Sequence, residues 1–213
     1  MESASEIVYV VDDDRRVREA LSVLLRANGR NVHAFNSGRA FLDTLRQDAV
    51  SCLILDLRMP GMSGLEVQKL VSTDSPIPVI FITGMGDVPS TVLAMKGGAV
   101  DFLTKPVDED ALMRAVDAAL ARAHVLRKAA QDTAALQALY ESLTPREQEL
   151  LPLLASGLLN KQAAAVLGIT EYTVQVHRGH IMRKMQAASF ATLVRQASKL
   201  QLETRPTATF PEG

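Results

Sequence analysis

Three consecutive carboxylates, Asp12, Asp13 and Asp14, follow the apolar run IVYVV at residues 7–11. Neighbouring carboxylates repel and lose solvation together, so outside open solvent a positive charge should sit among them, and a divalent cation is the natural candidate. Other reactive groups stand at or near the ends of further apolar runs: Asp56 is the penultimate residue of CLILDL, Thr83 closes PVIFIT, and Lys105 with Pro106 follows AVDFLT. Oxygen ligands without His or Cys suit a hard ion, and Mg²⁺ takes one or two carboxylates plus waters or phosphate oxygens. A Lys beside clustered carboxylates adds a fixed positive charge for a phosphoryl oxygen, and a hydroxyl such as Thr83 can donate to another. Taken singly, Asp56 reads as a strand-end turn residue and Lys105 as a solvated Lys before a Pro. Together they describe a cleft suited to a phosphoryl group, with Asp14 set apart as the cap of the helix that follows.

The elements that must position these groups are short and repetitive. Runs at 7–11, 31–35, 52–57, 78–83 and 99–104 are apolar and rich in β-branched residues, and each is followed by amphipathic sequence. Five strands alternating with five helices predict an α/β fold, a doubly wound five-stranded parallel sheet covered on both faces. In such a sheet, ligands gather beyond the carboxyl ends of the strands where strand order reverses. If the first and third strands are neighbours, Asp12, Asp13, Asp56, Thr83 and Lys105 converge there.

The remainder of the chain differs in kind. The net charge is −1, yet residues 158–200 carry six Lys and Arg against one acidic residue, a balance that suits nucleic acid or an acidic surface. From Asp108 to about Tyr140 the pattern is Ala-rich and helical, without Gly or Pro, and reads as a long or broken helix acting as a linker. LTPREQELL then starts a helix, with Thr144 and Glu147 forming a capping box and Pro145 at the first helical position. Further helices are expected over 160–167, 171–186 and 189–200, with Gly157 and Gly168 as stops. The result is an all-α four-helix domain. Its two helices separated by GIT fit a helix-turn-helix whose second helix enters the major groove.

Composition narrows the alternatives. With 47% hydrophobic residues the chain can bury real cores, and no apolar run approaches the ~18 residues a membrane span needs. MESASE lacks the features of a signal peptide, so a cytoplasmic protein with no membrane association is expected. Cys52, the single cysteine, allows no internal disulfide or thiolate-rich metal site and reads as an inert buried thiol. His33, His124, His177 and His180 read as lacking ligand spacing.

VVDDD, LDLRMPGMSGLE, FITG and DFLTKPV, in this order and spacing over roughly residues 5–122, resemble the receiver domain of two-component response regulators, specifically the FixJ-like group. The resemblance implies a flavodoxin-like receiver fold in which Asp56 is the phosphoacceptor, attacking the phosphorus of a phosphohistidine on a sensor histidine kinase. It implies that Asp13 binds Mg²⁺, with Asp12 helping directly or through water, Asp56 taking part, and the backbone carbonyl of Arg58 completing the protein ligands. Lys105 would contact the phosphoryl group, Thr83 would follow it with its hydroxyl, and Phe102 would be the aromatic that changes rotamer with Thr83. Phosphorylation would favour a homodimer through residues 88–120.

LTPREQELLPLLASGLLNKQAAAVLGITEYTVQVHRGHIMRKM is similar to the LuxR/NarL-type DNA-binding domain. Val174, Ile181 and Met185 lie at helical spacing and read as core. Gln175, Val176 and Gly179 would then face the groove, while Lys161, His177, Arg178, Arg183 and Lys184 reach phosphates. Thr170 and Thr173 stand at the helix start as further phosphate contacts, Thr170 reading equally as an N-cap. In this family a basic residue often follows the Thr-Val pair, and here that position is Gln175. Gln pairs bidentately with adenine whereas Lys prefers guanine, so an altered operator preference is expected. The final helix offers Phe190, Leu193, Val194 and Leu200 either to a dimer contact or to the domain's own core.

The expected organisation is a receiver over 1–122, a helical linker over 123–140, a LuxR-type helix-turn-helix domain over 141–203 and a flexible tail over 204–213. Such a protein would not be an enzyme in its own right. It would be phosphorylated by a sensor kinase, dimerise, bind promoter DNA and act with RNA polymerase, as an activator. The competing enzyme class is a Mg²⁺-dependent aspartyl-phosphate phosphatase of the haloacid-dehalogenase type, whose DxDx[TV] signature is replaced here by DDDRR. A flavin-binding flavodoxin is disfavoured because clustered carboxylates would repel the flavin phosphate.

Overall fold

The computed structural model describes residues 6–45, 49–74, 76–84 and 88–202. The chain divides into two compact units, Met1–Lys128 and Ala129–Gly213.

In the first unit the strands β1 (Ile7–Val11), β2 (Val32–Phe35), β3 (Ser51–Asp56), β4 (Val79–Thr83) and β5 (Asp101–Thr104) alternate with helices. The helices are α1 (Arg15–Ala27), α2 (Gly38–Thr44), α3 (Gly64–Asp74), α4 (Val88–Lys96) and α5 (Glu109–Glu141). All four strand pairings are parallel, in the order β2-β1-β3-β4-β5. β1 and β3 are therefore neighbours, and strand order reverses between them.

Burial on both faces explains why the strand sequences do not alternate. Successive residues of a strand point to opposite sides, so Val8, Val10, Cys52, Ile54, Ile80 and Ile82 meet α1 and α5 through Leu21, Leu25, Leu112, Val116 and Leu120. Tyr9, Leu53, Leu55 and Phe81, interleaved with them, meet Phe41 of α2, Val67 and Val71 of α3 and Ala94 of α4. Cys52 is buried in this sheet.

Local signals set several boundaries. Asp14 caps α1 by accepting from the Arg16 N–H at 2.8 Å, as expected of the third carboxylate. β5 starts at Asp101, later than the apolar pattern suggested. The stretch read as a long or broken linker helix is part of α5, which continues to Glu141.

The second unit contains the end of α5 and the helices α6 (Pro145–Ala155), α7 (Asn160–Leu167), α8 (Glu171–Lys184) and α9 (Phe190–Lys199). The Thr144–Glu147 capping box forms, with Pro145 in the first turn. Gly168 ends α7 with φ +65°, a conformation that glycine adopts without steric cost. α8 stops at Lys184, short of the expected residue 186, and Gln186 takes a positive φ of 52° in the turn that follows. Leu150, Leu151, Leu154, Val174, Ile181 and Met185 form the core with Leu193, and Phe190 and Leu200 pack against it. The intradomain reading thus accounts for Phe190 and Leu193 of α9 and for Leu200, its C-cap. The expected flexible tail over 204–213 lies outside the described residues.

Candidate functional site

Three strand ends build the first site. β1 delivers Asp12 and β3 delivers Asp56, both at the reversal of strand order, and the residue after β5 is Lys105. Asp12 is 2% exposed and Asp56 5%. Two carboxylates this dry need a counter-charge, and Lys105 provides it: its Nζ donates to Asp12 Oδ2 at 2.6 Å and to Asp56 Oδ1 at 2.9 Å. The Lys105 N–H donates to the Thr83 carbonyl at 2.8 Å, anchoring the loop beside β4.

The second oxygen of each carboxylate is held as well. Asp12 Oδ1 accepts from the Asp14 N–H at 2.9 Å, and Asp56 Oδ2 accepts from the Arg58 N–H at 2.9 Å. Arg18 ties down the same turn by donating to the carbonyls of Asp12 and Asp13 at 2.7 and 2.9 Å. The Asp13 side chain is exposed at the rim.

Burial pushes the Asp56 carboxyl above its ordinary pKa and the Asp12 charge adds to this, while Lys105 and the Arg58 N–H draw it back without cancelling the rise. For Lys105 burial favours the neutral amine, but the bonds to Asp12 and Asp56 outweigh it and raise the ammonium's pKa. One ammonium faces two buried carboxylates, with a third carboxylate, Asp13, at the rim. Such a surplus of negative charge among oxygen donors fits a hard dication such as Mg²⁺.

The approach to Asp56 is shaped by glycine. A Cβ at Gly64 would lie 2.4 Å from the Asp56 carbonyl oxygen and 3.0 Å from Phe81 Cε1. Only the bare backbone lets α3 begin this close to the end of β3. Thr83 is buried at the end of β4. Phe102 is half-buried on β5, its ring centroid 6.4 Å from that of Phe81.

The second site lies on α8. Gln175, Val176, Gly179 and Arg183 form one exposed face together with Tyr172 and His180, which the sequence reading left out. Tyr172 is 76% exposed, a large aromatic that the domain core does not use. Thr170 is the N-cap of α8, accepting from the Thr173 N–H at 3.1 Å, and the two hydroxyls are 2.8 Å apart. Lys161, near the start of α7, is exposed.

The other expected phosphate contacts are engaged within the unit. The Arg178 guanidinium stacks on Phe190 at 4.2 Å from the ring centroid and faces Asn160 Oδ1 at 3.4 Å. Lys184 donates to Glu147 Oε2 at 2.7 Å. His177 is half-buried, and its Nδ1 is buried without a hydrogen-bond partner. The expectation that no histidines have ligand spacing is corrected here: His177 and His180 meet Glu147 in one cluster, because the third member comes from α6.

Residues 8–117 match the response regulator receiver domain, and residues 141–197 match the luxR family of bacterial regulatory proteins. Nodulation protein W of Bradyrhizobium diazoefficiens is 48% identical over 206 residues, covering 96% of this chain and 91% of its own. The response regulator protein TmoT of Ectopseudomonas mendocina is 48% identical over 202 residues, covering 94% and 92%. The transcriptional regulatory protein FixJ of B. diazoefficiens is 42% identical over 196 residues, covering 90% and 94%. Among solved structures, the response regulator StyR superposes with a TM-score of 0.75 at 47% identity, covering 92% of this chain and all of that one. Receiver domains generally use Mg²⁺ for phosphorylation and answer to a sensor kinase, and luxR-type domains bind DNA. By both parts of its length, and by relatives that match nearly end to end, this chain belongs to the response regulators that join a receiver to a LuxR-type DNA-binding domain.

Proposed function

We propose that Asp56 is the phosphoacceptor of a promoter-binding switch driven by a sensor histidine kinase. The observation that carries this reading is the convergence of Asp12 and Asp56, from adjacent strand ends, on the single ammonium of Lys105. In the transfer an Asp56 carboxylate oxygen forms a bond to phosphorus as the phosphorus–nitrogen bond of a phosphohistidine breaks, and the released imidazole takes up a proton. Such a reaction needs in-line positioning and neutralisation of the equatorial oxygens more than covalent help from the protein. Asp12, Asp13, Asp56 and the Arg58 carbonyl would hold Mg²⁺, which supplies part of that neutralisation when bound. Lys105 supplies the rest by moving its ammonium from the carboxylates to a phosphoryl oxygen. Thr83 donates its hydroxyl to the new phosphoryl group, and Phe102, on the adjacent strand, follows that movement.

The output is DNA binding by the second unit as a phosphorylation-promoted homodimer that recruits RNA polymerase and activates transcription. Gln175, Val176 and Gly179 read base edges in the major groove. Lys161, Thr170, Thr173 and Arg183 meet the phosphates around them, while His177, Arg178 and Lys184 stay engaged within the unit. Taking such a switch from nearly all inactive to nearly all active requires a bias of about 5.5 kcal/mol between its states.

The test is the mass of the intact protein after incubation with Mg²⁺ and acetyl phosphate, beside an Asp56→Asn control. One added phosphoryl group, absent in the control and with chelator, is the expected result. No addition to the wild-type protein would overturn the assignment of Asp56.

A further inference from the structure

Glu147 and the two histidines of α8 make an arrangement that neither phosphorylation nor DNA reading accounts for. His177 and His180 are three positions apart on α8, so their imidazoles share one side of the helix, with ring centroids 6.3 Å apart and planes nearly perpendicular. Glu147 comes to the same place from α6 and is 2% exposed. One ligand atom from each of the three residues can be chosen so that all lie within 4.8 Å of one another.

We propose that Glu147, His177 and His180 form a binding site for a first-row transition-metal dication of the Zn²⁺ class. Two features favour an ion over an ordinary polar cluster. His177 Nδ1 is buried without a hydrogen-bond partner, an unsatisfied buried nitrogen whose free-energy cost no described group of this chain offsets and a metal bond through that nitrogen would remove. Glu147 is also held as a ligand must be. Its Oε2 accepts from the Thr144 N–H at 2.9 Å and from Lys184 Nζ at 2.7 Å, while Oε1 faces His180 Nδ1 at 3.5 Å, too far for a good hydrogen bond. Fixing one carboxylate oxygen orients the other, the usual way a metal-binding carboxylate is supported.

The donor set distinguishes this place from the receiver cleft. Two imidazole nitrogens and one carboxylate oxygen suit Zn²⁺, Co²⁺ or Ni²⁺, whereas the oxygen-only set around Asp12 and Asp56 suits Mg²⁺. Zinc bonds of about 2.0–2.2 Å put tetrahedral ligand atoms roughly 3.3 Å apart, so small side-chain rotations about the observed positions close the site. Three protein ligands leave a fourth position for water. The Lys184 ammonium beside Glu147 opposes a dication, which makes this a site of moderate affinity and not a structural zinc centre.

The test uses tag-free full-length protein with excess Mg²⁺ in every sample, so that the receiver carboxylates are occupied throughout. Zn²⁺ binding is measured by calorimetry and Co²⁺ binding by visible absorption, for the wild type and for a variant carrying His177→Ala and His180→Ala. The expected result is one equivalent bound by the wild type, with Co²⁺ bands of low coordination number, and at least tenfold weaker binding by the variant. His180→Gln changes a side chain 44% exposed and serves as the second comparison should the double substitution unfold the domain. Equal Zn²⁺ affinity in wild type and variants, or no Zn²⁺ bound by the wild type, would overturn the proposal.

Discussion

Lys184 Nζ donates to Glu147 Oε2 at 2.7 Å, joining the last turn of α8 to the first turn of α6 across 37 residues of chain. The same carboxylate closes the capping box with Thr144, so one buried group terminates a helix and ties two helices together.

Replacing that carboxylate by Gln should cost the second unit about 1.5–3 kcal/mol, the range for a hydrogen bond to a charged group. Burial works against the ionised form, yet Lys184 and Thr144 outweigh it and hold Glu147 below its ordinary value of 4.5. A depressed carboxylate stabilises the fold above its unfolded pKa, and the contribution is lost as pH falls from about 4.5 through the folded value. Urea unfolding with chelator present should therefore show a loss of stability on acidification that Glu147→Gln reduces. An identical acid dependence in both proteins would contradict this.

Lys105→Met removes the only cation seen between Asp12 and Asp56 among the described residues and leaves two nearly buried carboxylates facing each other. A loss of about 1.5–3 kcal/mol is expected in Mg²⁺-free buffer. Millimolar Mg²⁺ should restore more stability to the variant than it adds to the wild type, because the ion then has no ammonium to compete with. Thermal unfolding with and without Mg²⁺ decides the point.

Gly64→Ala forces a methyl group against the Asp56 carbonyl oxygen and the Phe81 ring. Overpacking of this kind costs about 1–3 kcal/mol. Because the displaced backbone carries Asp56, the rate of phosphorylation by acetyl phosphate should fall along with the stability. A variant as unstable as expected but phosphorylated at the wild-type rate would show that the loop adjusts without moving Asp56.

Gln175→Lys should shift base preference on the contacted position from adenine toward guanine, since Gln pairs with adenine N6 and N7 and Lys with guanine O6 and N7. Such a contact discriminates by about 1–3 kcal/mol, measurable by competition among operator variants at fixed salt. Unchanged preference would remove Gln175 from the reading surface.

Much of this architecture could be read in advance because its causes are local or topological. The strands announce themselves as unbroken apolar runs since both sheet faces are covered, and the rule for parallel sheets then puts Asp12, Asp56, Thr83 and Lys105 at one edge. Asp14 and the Thr144–Glu147 box depend on neighbours within three residues, so spacing alone reveals them. Other features depend on contacts far apart in the chain. Lys105 reaches Asp12 across 93 residues, and no pattern in the sequence says that its ammonium lies between the two carboxylates. Arg178 resembles any exposed cation until α9 places Phe190 beneath it. Glu147 reads as a helix cap because its other partners, Lys184 and His180, arrive only when α8 folds against α6.

Cys52, on the same strand as Asp56, is sealed into the sheet, and burial pushes its thiol up to about 12. Thiolate, the species that reacts with maleimides, is thus scarce at neutral pH and out of reach as well. A cysteine introduced at any exposed position becomes the sole addressable label on an otherwise native chain. A spin probe or fluorophore attached on α4 or α8 would report the answer to phosphorylation directly, with no need to delete the natural cysteine first.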